Sequence, residues 1–192
     1  MTFEDGTKLG LYRQTVEDFG LYAGKEMTEQ EHEALLTAAG KMSAKMRAVR
    51  IVSASSVSKR DLEARLVRKG EDPMQAKEAV QWMADLHLVD DRNTAEAVVH
   101  ACISKGYGLQ RAKQALYEKR IPKEYWEEAL AEYPDQLEKI ESFLRSRLEV
   151  DSDEKQVKKA IDALIRRGHS YGKIRQVLNN LSFDTEEFLE EF

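Results

Sequence analysis

A nine-residue pattern that recurs three times constrains this chain more than any other feature. Its copies are Ser58 with Leu62 and Leu66, Gly108 with Ala112 and Leu116, and Ser170 with Ile174 and Leu178. In each, a small residue precedes apolar residues four and eight positions later. Ser and Gly tolerate the extended backbone of a helix cap, and apolar residues spaced by four lie along one helical face. Each copy therefore predicts a capped amphipathic helix, and the repetition predicts a row of small helical modules. Only 10 Gly and 3 Pro among 192 residues leave little material for the turns of a sheet protein, so the expected class is all-α.

Neighbouring signals extend each copy to a helix triplet. Gly70 stops the first repeated helix in the manner of a C′ glycine, and Asp72-Pro73 opens the next with a cap and a first-turn proline. Asp90-Asp91 caps a helix carrying Ala95, Val99 and Cys102, and Pro122 precedes another bearing Tyr125, Trp126 and Leu130. The amphipathic run Leu137, Ile140, Phe143, Leu144 and Leu148 carries the chain onward. Asp151-Ser152-Asp153 then caps a helix with Val157, Ile161, Leu164 and Ile165 inside, and a last helix is expected after Asp184, with Phe188, Leu189 and Phe192 packing back. Thr28 and Glu31 have the form of a capping box, opening a helix that breaks near Gly40 or runs on through Met42, Met46 and Val49. Glu4 to Thr7 offer a turn and Lys8 to Tyr12 alternate like a strand, which suggests a marginal N-terminal hairpin. The expected organisation is an N-terminal extension over 1–40, repeats over 41–89 and 90–133, a connecting helix over 134–150, and a third repeat over 151–192.

The formal charge is −5, yet its distribution is blocky. Residues 41–70 hold 9 basic side chains against 2 acidic, 105–125 hold 6 against 2, and 155–178 hold 7 against 1. The stretch 71–104 reverses this with 2 against 7, and 126–154 with 3 against 10. The basic blocks coincide with the repeated element, so an acidic chain can still offer three cationic strips. Neutralisation between neighbouring helices is the competing reading. The second and third copies align in charge as well: Lys105 with Arg167, Arg111 with Lys173, and Lys113 with Arg175. These pairs flank helix starts, where free amides add to the attraction for phosphate or carboxylate. In the first copy the basic residues are displaced to Lys59, Arg60 and Arg65, with Asp61 and Glu63 at the two positions after its cap.

Chemistry is sparsely represented. His32, His87, His100 and His169 show no metal-ligand spacing, and Cys102, the one cysteine, falls on an apolar face. Gly106 and Gly108 lack the Lys-Ser/Thr and preceding strand of a phosphate loop. No catalytic, metal or cofactor site is expected, so the chain reads as a non-enzyme without cofactors. Trp82 and Trp126 read as core anchors; Tyr107 and Tyr171 lie beside the basic clusters, either packed or available for stacking. No apolar run approaches a membrane span and no signal-peptide core is evident, so a cytoplasmic protein with no membrane partner is expected.

Several of these residues, in order, resemble the RecX regulators of the RecA recombinase. They are Ser58 to Leu62 with Leu66, Lys69 and Gly70; Leu88-Val89-Asp90-Asp91 with Ala95; Gly106-Tyr107-Gly108; and Arg166-Arg167-Gly168. The resemblance spans about Met42 to Leu181. Thr94, His169 and Leu109 depart from the family's usual aromatic, aromatic and proline. The resemblance implies three tandem three-helix repeats in an elongated, curved array. It also implies binding to a RecA-type recombinase filament and its DNA, single-stranded first and double-stranded as an option; a monomer is expected. The consequence would be inhibition of filament extension, strand exchange and ATP hydrolysis in recombination and DNA repair. Candidate contacts are Lys59, Arg60, Arg65, Arg68, Lys105, Arg111, Lys113, Arg166, Arg167, Lys173 and Arg175. The alternatives are a helix-turn-helix protein binding DNA without sequence preference, and a pure protein-interaction scaffold.

Overall fold

A computed structural model describes residues 1–149 and 152–181; the helix expected after Asp184 lies outside them. Among the described residues the chain forms ten α-helices: α1 Arg13–Asp18, α2 Glu29–Ala54, α3 Lys59–Arg68, α4 Pro73–Asp85, α5 Asp91–Ser104, α6 Leu109–Glu118, α7 Trp126–Leu130, α8 Leu137–Arg145, α9 Glu154–Arg166 and α10 Tyr171–Asn180. A single 3-10 turn, Lys123–Tyr125, precedes α7. The chain divides into two compact units, one ending at Asp90 and the other beginning at Asp91.

The first unit is built on α2, whose start follows from local sequence. The Thr28 side chain accepts from the Glu31 amide at 3.2 Å, and the Glu31 carboxylate accepts from the Thr28 amide at 2.8 Å. The helix does not break at Gly40 but runs for 26 residues. At Gly40 the end of the Gln75 side chain of α4 occupies the space a Cβ would take, 2.3 Å from its amide oxygen, and that flexible end could shift to admit one. The boundary expected between residues 40 and 41 therefore falls inside a continuous helix, and Leu35 and Ala39, N-terminal to it, are buried. Ala44 and Ala48 of α2 pack with Leu62 and Leu66 of α3 and with Ala76, Ala79, Val80 and Met83 of α4. Each buried leucine contributes about 1.5–3 kcal/mol by removal from water. The expected stops and starts hold here: Gly70 has φ +92°, and Asp72 accepts from the amides of Met74 and Gln75.

The N-terminal hairpin reduces to a turn closed by one antiparallel bridge, Thr2 to Lys8. Phe3 meets His32 of α2 edge to face, with centroids 4.9 Å apart.

The second unit holds two apolar clusters. Ala95 and Val99 of α5, Leu116 of α6 and Ile121 form one, joined by Trp126 and Leu130 of α7. Ile140, Leu144 and Leu148 combine with Val157, Ala160, Ile161 and Leu164 of α9 and with Ile174, Val177 and Leu178 of α10 in the other. The segment 134–150, expected to connect two repeats, thus supplies a full share of a core. Ile140 and Leu144 lie four apart on one face of α8, and Leu148 joins them from beyond its end. Asp153 opens α9 with a capping box shared with Gln156.

Candidate cationic binding surface

The two turns that carry the repeated pattern in the second unit meet each other. α5 ends in a left-handed Gly106 (φ +67°), and α9 ends in a left-handed Gly168 (φ +86°). Each permits the same closure: the next amide, of Tyr107 or His169, returns to the carbonyl five residues back, Cys102 at 2.9 Å or Leu164 at 3.2 Å. The Gly108 amide then donates to the Arg167 carbonyl at 2.9 Å, and the Gln110 amide to the Gly168 carbonyl at 3.2 Å. Neither backbone leaves room for a side chain between them. A Cβ on Gly108 would stand 2.1 Å from the Gly168 oxygen, and one on Gly168 would stand 2.2 Å from the Arg111 nitrogen.

This junction corrects the expectation of free amides at the start of α6, since Gly108 and Gln110 already donate to protein carbonyls. It also explains His169. The imidazole is buried, with Nε2 3.1 Å from the Gly106 carbonyl, a geometry that suits a neutral ring donating from Nε2. Burial pushes its pKa below the usual 6.5, opposed by the Gly106 hydrogen bond and aided by the charges of Arg167 and Lys173. A lowered folded pKa means that the unfolded chain binds more protons, so this contribution is complete above pH 6.5 and is lost as pH falls through the folded value. The urea midpoint of the second unit is accordingly expected to drop between about pH 7.5 and about pH 5.5. A His169→Gln variant, which keeps an amide donor, should flatten that drop; an unchanged pH dependence would sink the assignment.

The aligned charges do not share one fate. Arg111 pairs with Glu118 at 3.0 Å, a hydrogen bond that also raises its pKa. Lys173 pairs with Asp135 of the loop before α8. Lys113 is half-buried on α6, while Arg166 and Arg175 are exposed. Lys105 and Arg167, separated by 62 positions in sequence, come together along one cleft of about 260 Å³. Sequence reasoning missed a third cation there, Lys139 of α8, whose stem lies 3.2 Å from the position of a Cβ on Gly106. The spacing of Lys139, Ser142, Phe143 and Ser146 puts them on one helical face beside the apolar stripe, a signal the sequence did contain. In the first unit Arg65 pairs with Asp61 at 2.8 Å, and Lys59, Arg60 and Arg68 are exposed on α3.

Other residues singled out in the sequence are packed. Cys102 is buried and its thiol is pushed up by burial. The Tyr133 hydroxyl donates to the Tyr107 carbonyl at 2.6 Å, and burial raises its pKa to about 12. Tyr171 packs against the third core, and Trp126 Nε1 donates to the Ile121 carbonyl at 3.0 Å. Ser170 has the extended backbone of a cap but makes no side-chain capping bond. No cluster of three or more His, Cys, Asp or Glu suited to a metal ion occurs among the described residues. No helix of the described residues is long and apolar enough to cross a membrane.

Comparison with known proteins bears on this arrangement. Residues 90–130, spanning α5 to α7, match the family described as RecX, second three-helix domain. A regulatory protein RecX of Xanthomonas axonopodis pv. citri is 31% identical over 133 residues, covering 68% of this chain and 80% of the relative. The chain belongs to the RecX family. A second RecX, from Vibrio parahaemolyticus, is 27% identical over 149 residues, covering 76% of this chain and 94% of its own. The fold agrees as well: a crystal structure of RecX from Lactobacillus salivarius superposes with a TM-score of 0.63 at 25% identity, over 75% of this chain and 97% of that one. A further RecX crystal structure gives 0.68 over 92% of both chains at 20% identity. The all-α, repeated-helix class expected from the sequence is the class of these RecX structures. Thr94 and His169, expected as departures from the family pattern, are both buried side chains.

Proposed function

We propose that this RecX protein is a non-enzymatic regulator that binds a RecA-type recombinase–DNA filament and inhibits its extension, strand exchange and ATP hydrolysis. Family membership at 31% identity to a regulatory protein RecX carries this reading. Recombination and DNA repair are the processes it would serve, in the cytoplasm and as a monomer. The exposed cations Lys59, Arg60, Arg68, Lys105, Arg166, Arg167 and Arg175 are the proposed filament contacts. Arg65, Arg111 and Lys173 have carboxylate partners and would have to exchange them on binding, which weakens their claim. Lys113, half-buried, ranks below the exposed set.

Direct reading of a DNA groove is less well supported. In the second unit the third helix of the first triplet is α7, only five residues long, and carries exposed Glu127 and Glu128. A recognition helix presents donors to base edges and cations to phosphate; a short acidic one does neither. Phosphate contact without sequence preference remains open to the cationic residues, with a steep salt dependence as its mark.

The test is a titration of the full chain onto preformed recombinase filaments on single-stranded DNA, following ATP hydrolysis. Inhibition at micromolar protein is expected. An unaltered rate would refute the proposal, and equally tight, salt-sensitive binding to naked DNA would favour direct nucleic-acid binding instead.

A further inference from the structure

The cleft that joins Lys105 to Arg167 has a composition that packing alone does not explain. Three cations line it, from the end of α5, from α8 and from the end of α9. No carboxylate pairs with Lys105, Lys139 or Arg167 among the described residues, whereas Arg111, Lys173, Arg65 and Arg92 each have one. A helix C-terminus favours a nearby cation, which would account for Lys105 and Arg167 singly. Lys139 is added to them from the first turn of α8, where that helix's own dipole disfavours a cation. Gathering three like charges is unfavourable without an anion among them.

The geometry is also prepared for an anion. The Arg167 guanidinium rests over the Phe143 ring, 4.6 Å from its centroid, which restricts a side chain that would otherwise sample many rotamers. Ser142 adds an exposed hydroxyl from the same helical face as Lys139. The volume, about 260 Å³, is just below the range of roughly 300–1,000 Å³ usual for whole small-molecule sites. It suits a compact anionic group with the rest of its carrier outside.

We propose that this cleft is a phosphate-binding site, with Lys105, Lys139 and Arg167 supplying charge and Ser142 a hydrogen bond. The phosphate is carried either by a nucleic-acid backbone or by a free phosphate compound. This inference leans on the proposed function only for the carrier, because a filament-binding protein would meet backbone phosphates.

The full chain, labelled with nitrogen-15, is titrated with pyrophosphate and separately with a single-stranded oligothymidylate, following the amides of Gly106, Arg167, Gly168 and His169. The expected result is a saturable shift of these amides, weakened roughly tenfold or more in a Lys105→Ala, Lys139→Ala double variant. Both substitutions are on exposed side chains, and circular dichroism checks that helicity is kept. Because His169 lines the same cleft, a bound phosphate should also raise its pKa, a readout that a purely structural role of the lysines would not move. Response to the oligonucleotide alone assigns the carrier to nucleic acid, and response to pyrophosphate alone to a free phosphate compound; either supports the site. Absence of both shifts, or shifts that persist in the double variant, overturns it. A chain that shows the shifts but leaves filament ATP hydrolysis unaltered would refute the proposed function and retain the cleft. Inhibition without the shifts would do the reverse.

Discussion

Alanine at Gly168 is expected to destabilise the second unit by about 2–5 kcal/mol, from two additive causes. The first is conformational: φ is +86°, where a Cβ costs about 1–2 kcal/mol. The second is steric. The added methyl would fall 2.2 Å from the Arg111 backbone nitrogen, and a backbone atom cannot swing aside as a side-chain end can. Overpacking of this kind costs roughly 1–3 kcal/mol where the structure yields in part. Gly108→Ala separates the two causes, because its φ of −77° is ordinary while its methyl would lie 2.1 Å from the Gly168 oxygen. Urea unfolding followed through Trp126, with Trp82 replaced by Phe, reports on this unit. Both variants should lower the midpoint, Gly168→Ala by more. If Gly108→Ala were neutral, the close approach of the two turns would be refuted.

Arg47→Met is expected to destabilise the first unit by roughly 2–4 kcal/mol. Glu71 follows the Gly70 turn and is buried, its side chain only 6% exposed. Its carboxylate is held by Arg47 at 2.5 Å and by the Ser43 hydroxyl at 3.0 Å. Methionine keeps the aliphatic stem but leaves a buried carboxylate with a single hydroxyl partner. Arg47 is 39% exposed, so water reaches the pair and the cost stays below that of a fully dry ion pair. The reciprocal change, Glu71→Gln, should cost less, because the arginine left behind can be hydrated. Trp82, packed against the first core, is the reporter in a variant lacking Trp126. An equal or greater loss for Glu71→Gln would overturn this account of the asymmetry.

Local signals in the sequence were reliable where the physics is local. The caps at Thr28, Ser58, Asp72 and Asp153 form because the partner amides lie two or three residues away. The apolar stripes of α3, α6 and α10 point inward as their spacing requires, with Leu62, Leu66, Ala112, Leu116, Ile174 and Leu178 all buried. The charged residues behaved differently. Arg111 and Lys173 align in the repeat, yet each is neutralised by a carboxylate outside the nine-residue pattern, Glu118 or Asp135. Lys173 finds Asp135 at a separation of 38 residues, which no local pattern reveals. Lys139 was overlooked because it lies in a segment expected only to connect two repeats.

The threefold pattern, together with the cap signals beside it, determined that this RecX chain is helical, where α2, α3, α4, α6, α9 and α10 begin, and which faces of the three repeated helices turn inward. Those properties follow from backbone capping and from burial of one stripe, and both act over a few residues. The tertiary structure decided what the repeat presents to a partner. Two turns that look outward in the sequence are brought together in the second unit through Gly108 and Gly168, which consumes the amides of one helix start. The same approach gathers Lys105, Arg167 and Lys139 around a cleft. Which cations are paired and which are left for a ligand depends on distances between helices far apart in the chain, and only packing sets those distances.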